Sequence, residues 1–153
     1  SAPSDMRAFT DVARSLDTID RGGYADAVIR MLILLAHARR SVRRDRLERS
    51  NELLTTHEPF AALGAATRSQ IIHEQDLIVA FEPEQALATL PLLLPDEKDR
   101  VRALEQCEFV LGPTEEMNDD SLDMYNQIKE VLDIKGRPAP KTRAKRANES
   151  TGV

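Results

Sequence analysis

The chain has 153 residues, of which 41% are hydrophobic and 31% charged, but only 4% are aromatic and none is Trp. This balance suits one helical domain with a real core, and it argues against a two-layer sheet, which draws on aromatic and β-branched residues. The net charge of −5 is unevenly spread: six Lys and Arg stand against one acid from Lys135 onward, leaving 15 bases and 25 acids before it.

In chain order, Ser4 is the expected cap of a first helix with apolar spacing at Phe9, Val12, Ala13, Leu16 and Ile19, closed by Gly22-Gly23. A second helix is expected over 24–40. It is apolar on nearly every face (Val28, Ile29, Met31 to Ala36) and is therefore central. A third is expected over 42–55, capped by Ser41, with a thin stripe of Leu47, Leu53 and Leu54 that places it at the surface. Glu58-Pro59 breaks the chain, and Phe60, Ala62 and Leu63 read as a plug on the core. A fourth helix is expected over 66–80, with Ile71, Ile72, Ile78 and Val79. A fifth starts at Pro83 and ends at Pro91, and a sixth starts at Pro95 with a face of Ala103, Leu104, Cys107, Val110 and Leu111. The seventh starts at Asn118 or Asp119, carries Leu122, Tyr125, Ile128, Val131 and Leu132, and ends at Gly136. The expectation is an all-α bundle of about seven helices over 1–136, followed by a basic tail, 137–153, without apolar periodicity and read as disordered. The opening Ser1-Ala2-Pro3 reads as the start of a piece excised from a longer protein.

The longest apolar run, Met31 to Ala36, is far short of the ~20 residues of a membrane span. With no signal-peptide pattern and a single cysteine, a cytoplasmic location is expected. No phosphate-cradling glycine loop or nucleophile elbow occurs. His73-Glu74 lacks the second histidine of a zinc-protease helix, because position 77 is Leu77. Cys107 lies on an apolar stripe among Glu105 and Glu108, a setting for an inert core thiol. No nucleophile, base and orienting group can be assembled, so no catalytic residue is expected.

Two charged clusters remain. Arg39, Arg40, Arg43, Arg44, Arg46 and Arg49 could contact an acidic partner or phosphates, or form a solvated helix face. Overall acidity, few aromatics and no recognition motif argue against nucleic acid as their target. Glu115, Glu116, Asp119, Asp120 and Asp123 could supply oxygens to a divalent cation, the one cofactor this pattern admits. The bland alternative is a helix start with acids on the positive end of its dipole.

Several phrases resemble a bacterial family labelled poly(3-hydroxyalkanoate) synthase-like: Arg30 to Ala36, Val42 to Arg49, Ile71-Ile72-His73-Glu74-Gln75, Phe81-Glu82-Pro83-Glu84, and Leu90 to Pro95. The resemblance spans Gly23 to Ile134. It implies a helical domain that follows an α/β-hydrolase-type region, where any synthase or hydrolase activity would lie. That helical domain in turn resembles TerB, the tellurite-resistance fold, a bundle of about seven helices in two similar halves with acids at a proposed metal site. Where the first acids of the TerB pattern are expected, this chain reads His37-Ala38-Arg39-Arg40-Ser41. The second position keeps Glu115, Glu116 and Asp119 without the Asp-Gly. The resemblance thus implies an accessory or interaction domain, with a protein partner or the adjoining region as its target.

Overall fold

A computed structural model describes residues 2–40 and 43–134. The described residues form eight α-helices and two 3₁₀ turns, with no strand among them: α1 (Ala2–Asp17), α2 (Tyr24–Arg39), α3 (Arg44–Thr56), α4 (Ala65–Phe81), α5 (Pro83–Ala88), α6 (Leu90–Leu93), α7 (Glu97–Leu111) and α8 (Asp119–Leu132). The fold is an all-α bundle. The expected disordered tail, 137–153, the Ser41 cap and the Gly136 stop lie outside the described residues.

The helix with the most uniformly apolar sequence is the one the others surround. α2 packs against α4, α7 and α8, and also touches α5 and α6. Its Ala27, Val28, Met31, Leu34 and Leu35 are buried among Ile78 and Val79 of α4, Leu104 and Cys107 of α7, and Tyr125 and Ile128 of α8. Burial of this kind is the main force that holds helices together. α3 lies against α7 and against the 3₁₀ turn Phe60–Ala62; of the expected plug Phe60 is fully buried, whereas Leu63 is half-buried and Ala62 is exposed. α1 packs chiefly on α4 and leaves Phe9 73% exposed, so its stripe covers less core than its spacing predicts.

Several boundaries differ from expectation for local reasons. The backbone of α1 is already helical at Ala2, so Ser4 sits within the first turn instead of capping it. α3 begins at Arg44 with Arg43 at its N-cap. Pro91 does not end a helix. Thr89 interrupts the chain, and Pro91 occupies the first turn of the separate short α6, where its missing N–H costs nothing. This split raises the count from seven to eight. Pro95 stays outside α7, and Asp96 caps it, with Oδ1 accepting from the Lys98 amide at 3.4 Å. Asn118 caps α8, with its Oδ1 accepting from the Ser121 amide at 2.8 Å. The last helix ends at Leu132, because Asp133 takes the left-handed conformation (φ 47°). Arg100 ties this end of the bundle together, donating to the carbonyls of Leu94, Pro91 (3.3 Å) and Leu132 (2.6 Å).

Candidate functional site

The last turn of α2, the turn after it and the first turn of α3 are one basic stretch. Arg39 ends α2, Arg40 turns the chain in the left-handed region (φ 67°), Arg43 caps α3, and Arg46 is one turn further on. The packing of α2 and α3 against α7 and α8 brings Arg39, Arg43 and Arg46 onto one cleft. Its far wall is the end of α7 (Val110, Leu111) and the segment entering α8 (Glu116, Met117, Asn118, Ser121).

The cleft has two adjoining compartments that share the three arginines, Leu111 and Ser121. One, of about 140 Å³, is walled by Leu32, Leu35, Ala36, Leu47 and Val110. The other, of about 240 Å³, is polar and is bounded by Glu116 and Asn118.

The arginines differ in how far they are satisfied. Arg43 is used: its Nε and Nη2 donate to Oδ1 and Oδ2 of Asp45 at 3.1 and 2.8 Å, a fork-to-carboxylate pair. Arg46 donates from Nη1 to the Val110 carbonyl at 3.2 Å, but its Nε is shut off from solvent without a hydrogen-bond partner. The Nε of Arg39 is in the same condition. Burial lowers the Arg39 and Arg46 guanidinium pKa values; the Arg43 charge lowers them further, and Asp45 opposes the shift. For Asp45, partial desolvation acts upward, yet the charge and hydrogen bonds of Arg43, aided by Arg46, hold its carboxyl below the usual range. Asp45 is thus the acid that pairs within the cluster, through Arg43.

Gly112 sets the far side. Its φ is +84°, and a Cβ there would lie 2.8 Å from Glu116 Oε2 and 3.4 Å from Arg46 Nη1. Only glycine lets the end of α7 approach both groups. Arg46 and Glu116 thus both approach the backbone at Gly112.

Of the six arginines expected to bind a partner, three line the cleft. Arg40 and Arg44 are exposed, with Arg44 Nε 3.9 Å from Glu48. Arg49 is half-buried and outside the lining, though its charge is felt at Arg46. The five acids are all exposed. Glu115 and Glu116 are in the 3₁₀ turn Thr114–Glu116, Asp119 and Asp120 open α8, and Asp123 accepts from Gln127 at 3.3 Å. Among the described residues no group of three or more His, Cys, Asp or Glu side chains is placed to hold a metal ion. The structure therefore does not gather these acids into one ligand set. Instead it brings Glu116 to the arginines, from a cluster that the sequence reads as separate.

The histidines stay apart: His37 Nε2 is 3.8 Å from Asp76, His73 Nε2 is 4.0 Å from Asp11, and the His57 ring packs on Phe109 at 4.7 Å. Cys107 is fully buried, and desolvation raises its thiol pKa, as suits a core residue. The apolar wall of the cleft was not legible as a site, because Leu32, Leu35 and Val110 carry the same pattern as the core. No helix among the described residues is long and apolar enough to cross a membrane. No protein-family model, curated protein or solved structure matches this chain.

Proposed function

We propose that this chain is a non-catalytic, TerB-like interaction domain that accompanies a hydrolase-like or poly(3-hydroxyalkanoate) synthase-like region and receives the anionic part of a protein partner in the arginine-lined cleft. The observation that carries the reading is the convergence of three arginines, Arg39, Arg43 and Arg46, on one cleft, with Asp45 as the acid that pairs with Arg43. An anion bound among them meets several guanidinium donors at once. Arginine is suited to the task, since its planar fork stays charged when half-buried and matches carboxylate geometry. The mutual repulsion of the three guanidinium groups is relieved by the same event.

The test is fluorescence anisotropy on a panel of labelled acidic peptides with free carboxyl ends. The wild-type chain is expected to bind members of the panel at 50 mM salt, more weakly at 300 mM, because exposed charge pairs are screened. The double variant Arg39→Gln/Arg46→Gln is expected to lose at least ten-fold in affinity. Equal binding by the variant, or none by the wild type to any peptide, rejects the reading.

A further inference from the structure

We infer that the group received in the cleft is the C-terminal residue of a protein partner, an apolar residue of leucine or phenylalanine size with a free α-carboxylate. The inference rests on the binding reading above and gives it a ligand chemistry.

The argument comes from what the two compartments offer together. The apolar one, about 140 Å³, is close to the ~150 Å³ apolar cavity known to accept benzene, so it suits one side chain of about six carbons. Its wall is aliphatic, and Leu47 at its edge is 60% exposed, a large apolar side chain in position to cover an entering one. A long acyl chain does not fit that volume, and a purely polar anion leaves it empty.

The polar compartment offers both signs. Arg39, Arg43 and Arg46 bring guanidinium groups to it, and Glu116 brings a carboxylate acceptor. A simple carboxylate or phosphate ligand would satisfy the arginines but would also face the Glu116 carboxylate without a donor for it. The end of a peptide brings both: two carboxylate oxygens for the guanidinium groups and, one atom away from the same Cα, an amide N–H for Glu116. Arg46 Nη1 and Glu116 Oε2 each come near Gly112, so one ligand residue beside it can address both. Capture of a chain terminus by convergent donors, with a pocket for the last side chain, is an established mode of peptide recognition. A buried anchor beside a desolvated charge pair is also where binding energy concentrates.

The experiment measures binding of the intact chain to four labelled octapeptides by anisotropy: one ending in Leu with a free carboxylate, the same peptide amidated, one ending in Gly, and one with the Leu-Glu pair placed internally. The first is expected to bind best, with amidation and the Gly ending each weakening it ten-fold or more. Amidation alters the ligand and leaves the protein untouched, so a folding defect cannot imitate its effect. Ser50→Trp, which fills the apolar compartment from α3 without changing any charge, is expected to abolish the preference for Leu over Gly. If the acidic panel binds but amidation and the last side chain make no difference, this inference falls and the binding reading stands. If no peptide binds, both fall. If free leucine competes at its own concentration as well as the peptide does, the ligand is a small molecule and the assignment to a protein terminus is overturned.

Discussion

Arg30 is the most buried charge among the described residues, with no exposed surface, and it sits in the middle of α2 where the sequence is otherwise apolar. Its Nε donates to Gln75 at 2.7 Å, and its Nη1 to the Ala86 carbonyl and Thr89 Oγ1 at 3.2 and 3.1 Å, while Nη2 has no partner. Burial pulls its pKa down to about 10, against a smaller opposing effect from Asp26. The group pins α2 to α4 and α5 by hydrogen bonds in place of an ion pair. Arg30→Ala leaves Gln75 and Ala86 unpaired beside a cavity and is expected to cost about 2–5 kcal/mol in urea unfolding. Arg30→Met/Gln75→Leu removes most of the unpaired groups along with the charge and is expected to recover most of that loss. Asp45 allows a second prediction at this scale. Its folded-state pKa is depressed, so the stability it contributes is present above the ordinary aspartate range and is lost as pH falls through that range and below it. The difference in urea midpoint between wild type and Asp45→Asn should be visible at pH 7 and should narrow as pH falls below the ordinary aspartate pKa. Because the substitution also releases Arg43, it should tighten binding of the carboxylate peptide several-fold at pH 7.

The elements around the cleft end in ways that the site requires. Arg40 holds a left-handed conformation that costs a non-glycine residue about 1–2 kcal/mol. Arg40→Gly should therefore raise stability by about 1 kcal/mol and leave peptide affinity unchanged, because Arg40 is exposed and does not line the cleft. Gly112→Ala should do the reverse: its φ of +84° strains any side chain, and its Cβ displaces the ends of Glu116 and Arg46, so it should lower the melting temperature and weaken binding together. Helix existence was legible in the sequence because α2, α7 and α8 carry strong apolar periodicity between good stop signals. Boundaries were less so, since a proline such as Pro91 reads equally as the end of one helix or the first turn of the next. Half of the site was legible as an arginine cluster. The other half was not, because Glu116, Ser121 and Val110 are 64 or more positions from Arg46, and only the packing of α3 on α7 brings them together.

Across the whole molecule, stability is unevenly distributed, and the cleft lies on its firmer side. α2 is enclosed by α4, α7 and α8, whereas α1 rests chiefly on α4 and exposes Met6 and Phe9. Helices with few buried contacts open at low free energy, while the most enclosed ones exchange only on global unfolding. Native-state hydrogen exchange should therefore find α1 amides exchanging first and those of α2 and α7 last. The cleft is built from the end of α2, the start of α3, the end of α7 and the start of α8, so a ligand there joins four elements that otherwise meet only through side chains. A saturating carboxylate peptide should then slow exchange at 43–47 and 117–121 and leave α1 unchanged. Protection of α1 instead would place the ligand on its exposed apolar face, and that result would move the binding surface away from the arginines.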